Sequence, residues 1–329
     1  MSKSEGLVTT DLNEKNERTK REFLTYPKDA KQVSEKTLDR GIAHLERFDR
    51  WNKRKDFAKF HISWAVGFRD HLDQAKGATG KPLAKPTTQA IMATLRKFNR
   101  WPSQQEGFRR RIKAAESSYF QLSRRDEAEA RAAPKRPAPS LRQAKRGLSM
   151  MPSETPRQMR DKAVFALLCL TGIRVEALTS LKVKHVDFEE KSVTQNPREV
   201  ATKFGKRIDM FFAKEFADAE VLLSDWMTYL YEVALYGPDH LLFPATAVTA
   251  HSNKGSIAHR FTPVHWKTTE PVRKIVNTAF EVAGLPTYGP HAFRYTLARH
   301  AAKNSKIVAE FIADAQNLGH SDPLTTLRS

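Results

Sequence analysis

Apolar residues recur at helical spacing through most of this chain. Leu38, Ile42, Leu45 and Phe48 lie four, three and three apart, which puts them on one helix face. Ile91, Leu95, Phe98 and Trp101 repeat the spacing, and residues 59–75 between them read as a helix with Ile62, Val66 and Leu72 apolar. Pro82 and Pro86 mark the connection that follows. A further helix is expected over about 105–130. Downstream, Thr155-Pro156-Arg157-Gln158 has the form of a capping box, with Thr155 as N-cap and Pro156 as the first helical residue. The helix it opens should run to about Leu170 and stop at Gly172, with a short helix over about 174–181 next. Strands are then expected at 182–188, roughly 192–202 and 206–212, with Phe204-Gly205 as the turn between the last two. From about 215 the period is helical again, near 216–235, 269–283, 291–302 and 306–317. The expected fold is mainly α with a small antiparallel β-sheet, an α+β chain.

At 329 residues the chain suits two domains. Residues 1–30, polar and mixed in charge, read as a flexible arm, and 31–130 as a small helical domain with basic outer faces. Residues 130–139 hold three prolines and no apolar periodicity, so 131–150 reads as a basic, Pro-rich linker before a second domain at 151–329.

A hydrophobic content of 40% argues against wholesale disorder. The longest apolar run, 163–170, is far short of the ~20 residues a membrane span needs, and the N-terminus lacks a signal-peptide pattern. The single cysteine, Cys169, lies in that run and reads as a small buried hydrophobe. No membrane partner and a cytoplasmic, nucleoid-associated location are expected. The net charge of +19 is unevenly placed: residues 51–150 hold 23 Lys/Arg against 8 Asp/Glu, the remainder 33 against 29. Such concentration favours a polyanion, because each neutralised phosphate releases condensed counterions. The alternative is a solvated basic surface. The candidate DNA contacts are Arg96, Lys97, Arg100, Arg109, Arg110, Arg111 and Lys113, with Lys53, Arg54 and Lys55 behind them.

The candidate chemistry is scattered along the second half. Thr171-Gly172-Ile173-Arg174 puts an arginine at a helix start, where the helix dipole disfavours a cation and an anion would favour it. Gly289-Pro290-His291-Ala292-Phe293-Arg294 opens another helix, with Pro290 expected as its first residue and His291 and Arg294 three apart on it. Asn317-Leu318-Gly319-His320 adds a second histidine, and Lys203 or Lys206 a lysine in a β-turn. Two arginines, two histidines and a lysine suit chemistry on a phosphodiester. His251, His259 and His265 lack carboxylate or cysteine companions at ligand spacing and read as loop residues, so neither metal nor cofactor is expected.

In this order the motifs resemble those of the tyrosine recombinases, the phage-integrase family. Thr171-Gly172-Ile173-Arg174-Val175-Glu176-Ala177-Leu178 looks like that family's first box, and Leu318-Gly319-His320-Ser321-Asp322 like its last. The resemblance covers roughly 140–329 strongly and 34–130 more loosely. It implies a SAM-like helical core-binding domain followed by a catalytic domain. It also implies site-specific DNA recombination through a 3′-phosphotyrosyl intermediate, with four protomers on two paired duplex sites. Arg174 and Arg294 would clamp the scissile phosphate, Lys203, with Lys206 a close competitor, would protonate the leaving 5′ oxygen, His291 would assist proton transfer, and His320 would hydrogen-bond the phosphate. Two departures stand out. The family's acidic residue three after the first arginine is here Ala177, with Glu176 one earlier. The nucleophilic tyrosine, expected nine or ten residues past His320, meets Ser329, which implies a chain cut just before its nucleophile. Tyr295, next to Arg294, is expected to point away from the His291/Arg294 face, and Tyr229, Tyr231, Tyr236 and Tyr288 to lie elsewhere. The alternatives are a catalytically inactive DNA-binding accessory protein and, more distantly, a type IB topoisomerase-like enzyme.

Overall fold

The computed structural model describes residues 12–29, 33–77, 79–105, 113–132, 136–202, 205–246 and 261–319. The chain divides into two compact units, residues 1–134 and 135–329.

The first unit is helical: α1 (Glu14–Asp29), α2 (Glu35–Trp51), α3 (Ile62–Gln74), α4 (Lys85–Arg100) and α5 (Arg124–Arg131), with 3-10 turns at Phe57–Lys59, Pro102–Gln104 and Ala114–Phe120. Its centre is aromatic. Phe48 packs against Phe57, Phe68 and Phe120 with ring centroids 6.1, 5.0 and 5.6 Å away. Leu45, Leu72, Ile91, Leu95 and Phe98 are buried, as their spacing predicts, whereas Ile42 is 47% exposed and lies outside the core.

Residues 14–29, expected as part of a flexible arm, form α1. The helix is anchored by polar groups. The buried Asn16 side chain donates to Asp49 Oδ1 at 2.8 Å and accepts from the Phe57 N–H at 3.0 Å. Lys20 Nζ lies 2.5, 2.9 and 3.0 Å from carboxylate oxygens of Glu17, Glu46 and Asp49. Apolar periodicity cannot announce a helix held by Asn and Lys. The single helix expected over 105–130 is also corrected, since its described part is a 3-10 segment and a separate α5. Ser117 and Ser118 bond back to the carbonyls of Ala114 and Ala115, which competes with α-helical pairing, and the Ser123 hydroxyl caps α5 by accepting from the Asp126 N–H.

The second unit is built on α7 (Pro156–Thr171), buried without interruption from Ala163 to Thr171. The expected capping box is present: Thr155 Oγ1 accepts from the Gln158 N–H at 3.3 Å and Gln158 Oε1 from the Thr155 N–H at 2.9 Å. Around α7 stand α6 (Leu141–Met150), α8 (Val175–Leu178), α9 (Ala217–Glu232), α10 (Glu270–Val282), α11 (Ala292–Asn304) and α12 (Val308–Asn317). A three-stranded antiparallel sheet, β1 (Val186–Asp187), β2 (Ser192–Gln195) and β3 (Ile208–Phe211), pairs Val193 with Met210, and both are buried. A second, two-stranded sheet pairs β4 (Ala245–Thr246) antiparallel with β5 (Phe261–Thr262). The strands are shorter than expected, because residues 183–185 turn in a 3-10 helix before β1.

Helix α6 corrects the expected linker over 131–150. Ser140 and Gln143 cap it, and Ala144, Leu148 and Met151 are buried. Gly147 is needed for the contact, since a Cβ there would lie 3.1 Å from Phe165 Cζ. Among the described residues no helix is long and apolar enough to cross a membrane.

Candidate functional site

The site begins where α7 stops. Gly172 takes φ +57°, and a Cβ there would lie 3.1 Å from Arg294 Cα and 3.2 Å from Arg294 Cγ. Glycine thus permits both the left-handed helix stop and the close approach of α11. Ile173 then plugs the core, and Arg174 emerges as the N-cap of α8. Opposite, Arg294 is only 2% exposed. Its Nη1 donates to the Gly172 carbonyl at 3.0 Å, while its buried Nη2 has no hydrogen-bond partner among the described residues. Among the described residues no carboxylate forms an ion pair with either arginine. Burial first, and the Arg174 charge second, push the Arg294 pKa down to about 9. Burial also lowers that of Arg174, against the pull of Glu176. Two like charges are therefore held close together in a partly dehydrated place, which an anion would relieve.

His291 stands at the N-cap position of α11 without a capping hydrogen bond, and the helix's first residue is Ala292, two later than the sequence suggests. Part of its imidazole is open to solvent. Burial, followed by the charges of Arg294, Arg136 and Arg174, pushes its pKa down to about 4 despite Glu176. The ring is uncharged at neutral pH and can accept a proton.

A third side comes from α12. The Asn317 side chain accepts from the Phe211 N–H at 2.6 Å and donates to the Phe211 carbonyl at 3.1 Å, pinning the helix end to β3. Gly319 follows at φ +63°, where a Cβ would lie 3.1 Å from Ile208 Cδ1 and 3.6 Å from Arg174 Nη1. The backbone entering position 320 thus runs beside the Arg174 guanidinium. His320 itself lies outside the described residues, as does Lys203. Lys206 is exposed in the β2–β3 connection, in which Gly205 takes φ +61°. The base of that connection is tied by Glu199, which accepts from Lys182 at 3.0 Å and Lys184 at 2.8 Å and lies 3.2 Å from His185 Nε2. Bonds from Lys184, Lys182 and His185 hold the Glu199 carboxyl down to about 2.

Of the predicted site residues, Arg174, His291 and Arg294 come together. Arg174, Glu176, Arg273, Asn277, Tyr288 and His291 line one cleft of about 560 Å3, room for more than a single phosphate. Arg273 and Asn277 were not foreseen; their signal is an i, i+4 polar pair opposite the buried Val272, Ile275, Val276 and Ala279 of α10. Tyr295 corrects the expectation that it points away. It follows His291 by one helical turn, and the two rings meet edge-on with centroids 5.1 Å apart. Ala177, where the family pattern has an acid, is buried.

In the first unit Arg96, Lys97 and Arg100 are exposed on α4, opposite the buried Ile91, Leu95 and Phe98, and line a groove with Phe120 and Gln121. Lys113 starts the 3-10 segment before Phe120, and Arg109, Arg110 and Arg111 lie outside the described residues. His251 and His259 also lie outside them, and His265 is an exposed loop residue. The carboxylates of Glu17, Glu46 and Asp49 converge closely enough to hold a metal ion, but the Lys20 ammonium sits among them.

Residues 142–328 match the phage integrase family. The chain is 25% identical over 312 residues to the tyrosine recombinase XerC of Lactobacillus delbrueckii subsp. bulgaricus, covering 93% of this chain and 91% of that protein. A tyrosine recombinase XerC of Bifidobacterium longum is 28% identical over 176 residues, 53% of this chain and 44% of that one. Among solved structures, a lambda integrase (75–356) dimer bound to a COC′ core site superposes with a TM-score of 0.64 at 14% identity, over 95% of this chain and 94% of that one. The Tn1549 transposon integrase in complex with transposon right end DNA gives 0.58 at 14% identity, over 94% and 93%. At such identities the likeness concerns the fold.

Proposed function

This chain belongs to the phage integrase family, and on that premise we propose that it is a site-specific recombinase whose second unit handles the scissile phosphate of double-stranded DNA. The observation that carries this reading is Arg294, a buried guanidinium with an unpartnered Nη2 beside Arg174. The two planar forks donate to the non-bridging oxygens, in a site that holds those donors in place before charge develops. His291, uncharged, takes the proton of the attacking hydroxyl. Lys203 or Lys206 returns a proton to the leaving 5′ oxygen. In the forward step a tyrosine oxygen bonds to phosphorus, the bond to the 5′ oxygen breaks, and a 3′-phosphotyrosyl link and a free 5′ hydroxyl result. In the reverse step a 5′ hydroxyl displaces the tyrosine. His320 completes the phosphate cradle, following in sequence Gly319, whose own backbone lies near Arg174. The basic face of α4, with Arg96, Lys97 and Arg100, and the Arg109–Arg111 and Lys113 stretch hold the duplex, and four protomers pair two sites.

The site can be tested without a protein nucleophile. A cognate duplex, selected from a random-sequence pool, carries a 3′-p-nitrophenyl phosphate opposite a strand with a free 5′ hydroxyl. That hydroxyl attacks phosphorus, nitrophenolate leaves, and its absorbance reports the rate. The chain should accelerate release, and Arg174→Ala should lower the rate by about 10²–10³-fold while sparing DNA affinity. Duplex binding with no acceleration would support a DNA-binding accessory protein instead and end the recombinase reading.

A further inference from the structure

Three contacts hold the segment before α6 against α11. The Arg136 guanidinium donates to Tyr295 Oη at 2.5 Å, with its Cζ 5.5 Å from the Tyr295 ring centroid. Arg299 Nη2 donates to the Arg136 carbonyl, and the Thr296 hydroxyl donates to the Pro139 carbonyl at 2.6 Å. Tyr295 in turn meets the His291 ring edge-on, nearly perpendicular at 88°. A continuous path thus runs from Arg136 through the tyrosine to the imidazole. Thr296, which makes one of the contacts, is itself buried, so the segment is seated rather than merely adjacent.

Resting on the recombinase reading, we propose that Arg136 and Tyr295 are positioning residues for His291, so that the phosphate site is complete only when residues 136–139 are docked on α11. Tyr295 fixes the orientation of the imidazole by ring packing. Arg136 fixes Tyr295 and adds a third guanidinium charge near the imidazole, after Arg294 and together with Arg174. Among the described residues, the charged or titratable groups around the ring are Arg294 and Tyr295 on α11, Arg174 and Glu176 at α8, Arg273 on α10 across the cleft, Tyr288 before α11, and Arg136. Against these cations, Glu176 pulls toward protonation. Removing Arg136 therefore favours the charged imidazole, which cannot accept a proton. A residue that merely packed would not move this equilibrium.

The test combines the nitrophenolate assay with titration of the His291 ring by NMR in the DNA-free chain. In the native chain the ring should titrate near pH 4; the nitrophenolate rate, in which the attacking 5′ hydroxyl faces the lysine and nitrophenolate leaves without a proton, reports only that the phosphate site is intact. Arg136→Ala should raise the titration midpoint by roughly half to one pH unit. Arg136→Lys should restore most of that shift. Tyr295→Phe, which keeps the ring but loses the phenol oxygen, should give an intermediate shift; Tyr295→Ala should also lower the rate at neutral pH, where His291 stays uncharged. If Arg136→Ala folds and leaves the midpoint unchanged, the proposal is overturned. If the native chain shows no transesterification at all, the recombinase reading fails, while the NMR titration still decides whether Arg136 acts on His291.

Discussion

Each unit buries a cation, and the two are treated in opposite ways. Lys20 in the first unit is surrounded by Glu17, Glu46 and Asp49. Although burial acts against it, those partners win, and its pKa is raised. Arg294 in the second unit is more deeply buried in character, yet it has one backbone carbonyl, one unpartnered nitrogen and a second arginine nearby, and its pKa falls to about 9. Arg160, also buried in the second unit, shows that the missing partners are not a property of the unit: burial lowers its pKa too, but it bonds to Asp161, the Pro244 carbonyl and Thr246 and lies over Phe261 and Trp266. A cation that serves the fold arrives with its counter-charge. One left without it, next to another, is waiting for an anion from outside the chain.

The contrast is broken most forcefully by removing each charge. Arg294→Met should lose about 10²–10³-fold in nitrophenolate release while keeping or raising the denaturation midpoint, because an unpaired buried charge disappears. Lys20→Met should cost about 3 kcal/mol in chemical denaturation, because it leaves carboxylates facing one another. Equal destabilisation by both would remove the distinction. Gly172→Ala comes next: the positive φ and the 3.1 Å approach to Arg294 Cα should cost about 1–3 kcal/mol and misplace the arginine, lowering rate and stability together.

Acid sharpens the comparison further. The His291 pKa is depressed to about 4 from an ordinary value of 6.5, so its contribution to stability is fully present above pH 6.5 and is lost as pH falls through 4. Glu46, lowered by Lys20, Arg54 and Arg50 against its burial, keeps its contribution above its ordinary 4.5 and loses it only below that. The first unit loses stability below pH 6.5 as well, because burial and nearby arginines lower the pKa values of His44 and His71, and His291→Gln should flatten the second unit's share of that loss in a pH series of melting curves. Equal sensitivity of native and His291→Gln chains between pH 6.5 and 4 would contradict this. The smallest effect concerns the exposed face of α4. Reversing Arg96, Lys97 and Arg100 together should weaken duplex binding and flatten its dependence on log salt by about 2–3. An unchanged salt slope would move the contact elsewhere.

Much of this was legible in the residues. The Thr155 capping box and the stop at Gly172 are local rules with local causes, and they were found where expected; the expected strand pair exists, but β2 ends at Gln195 and β3 starts at Ile208, and Phe204 of the expected turn lies outside the described residues. The arginine pair was legible as a motif, but its geometry depends on Gly172 admitting the α11 backbone, which no local rule states. What escaped notice was held by polar contacts between distant residues. Helix α1 depends on Asn16 and Lys20 reaching α2, and the seat of Arg136 depends on Tyr295, 159 positions away. Tyr295 itself was open to a better reading, since four residues make a helical turn and bring it over His291.

The central claim is that Arg174 and Arg294 act as one clamp on one phosphorus. A double-mutant cycle on nitrophenolate release tests it most directly, using Arg174→Ala, Arg294→Ala and the pair. The account predicts that the double variant is scarcely slower than the worse single variant, because either loss already breaks the cradle. Losses that multiply independently, or a single variant that keeps the native rate, would contradict it.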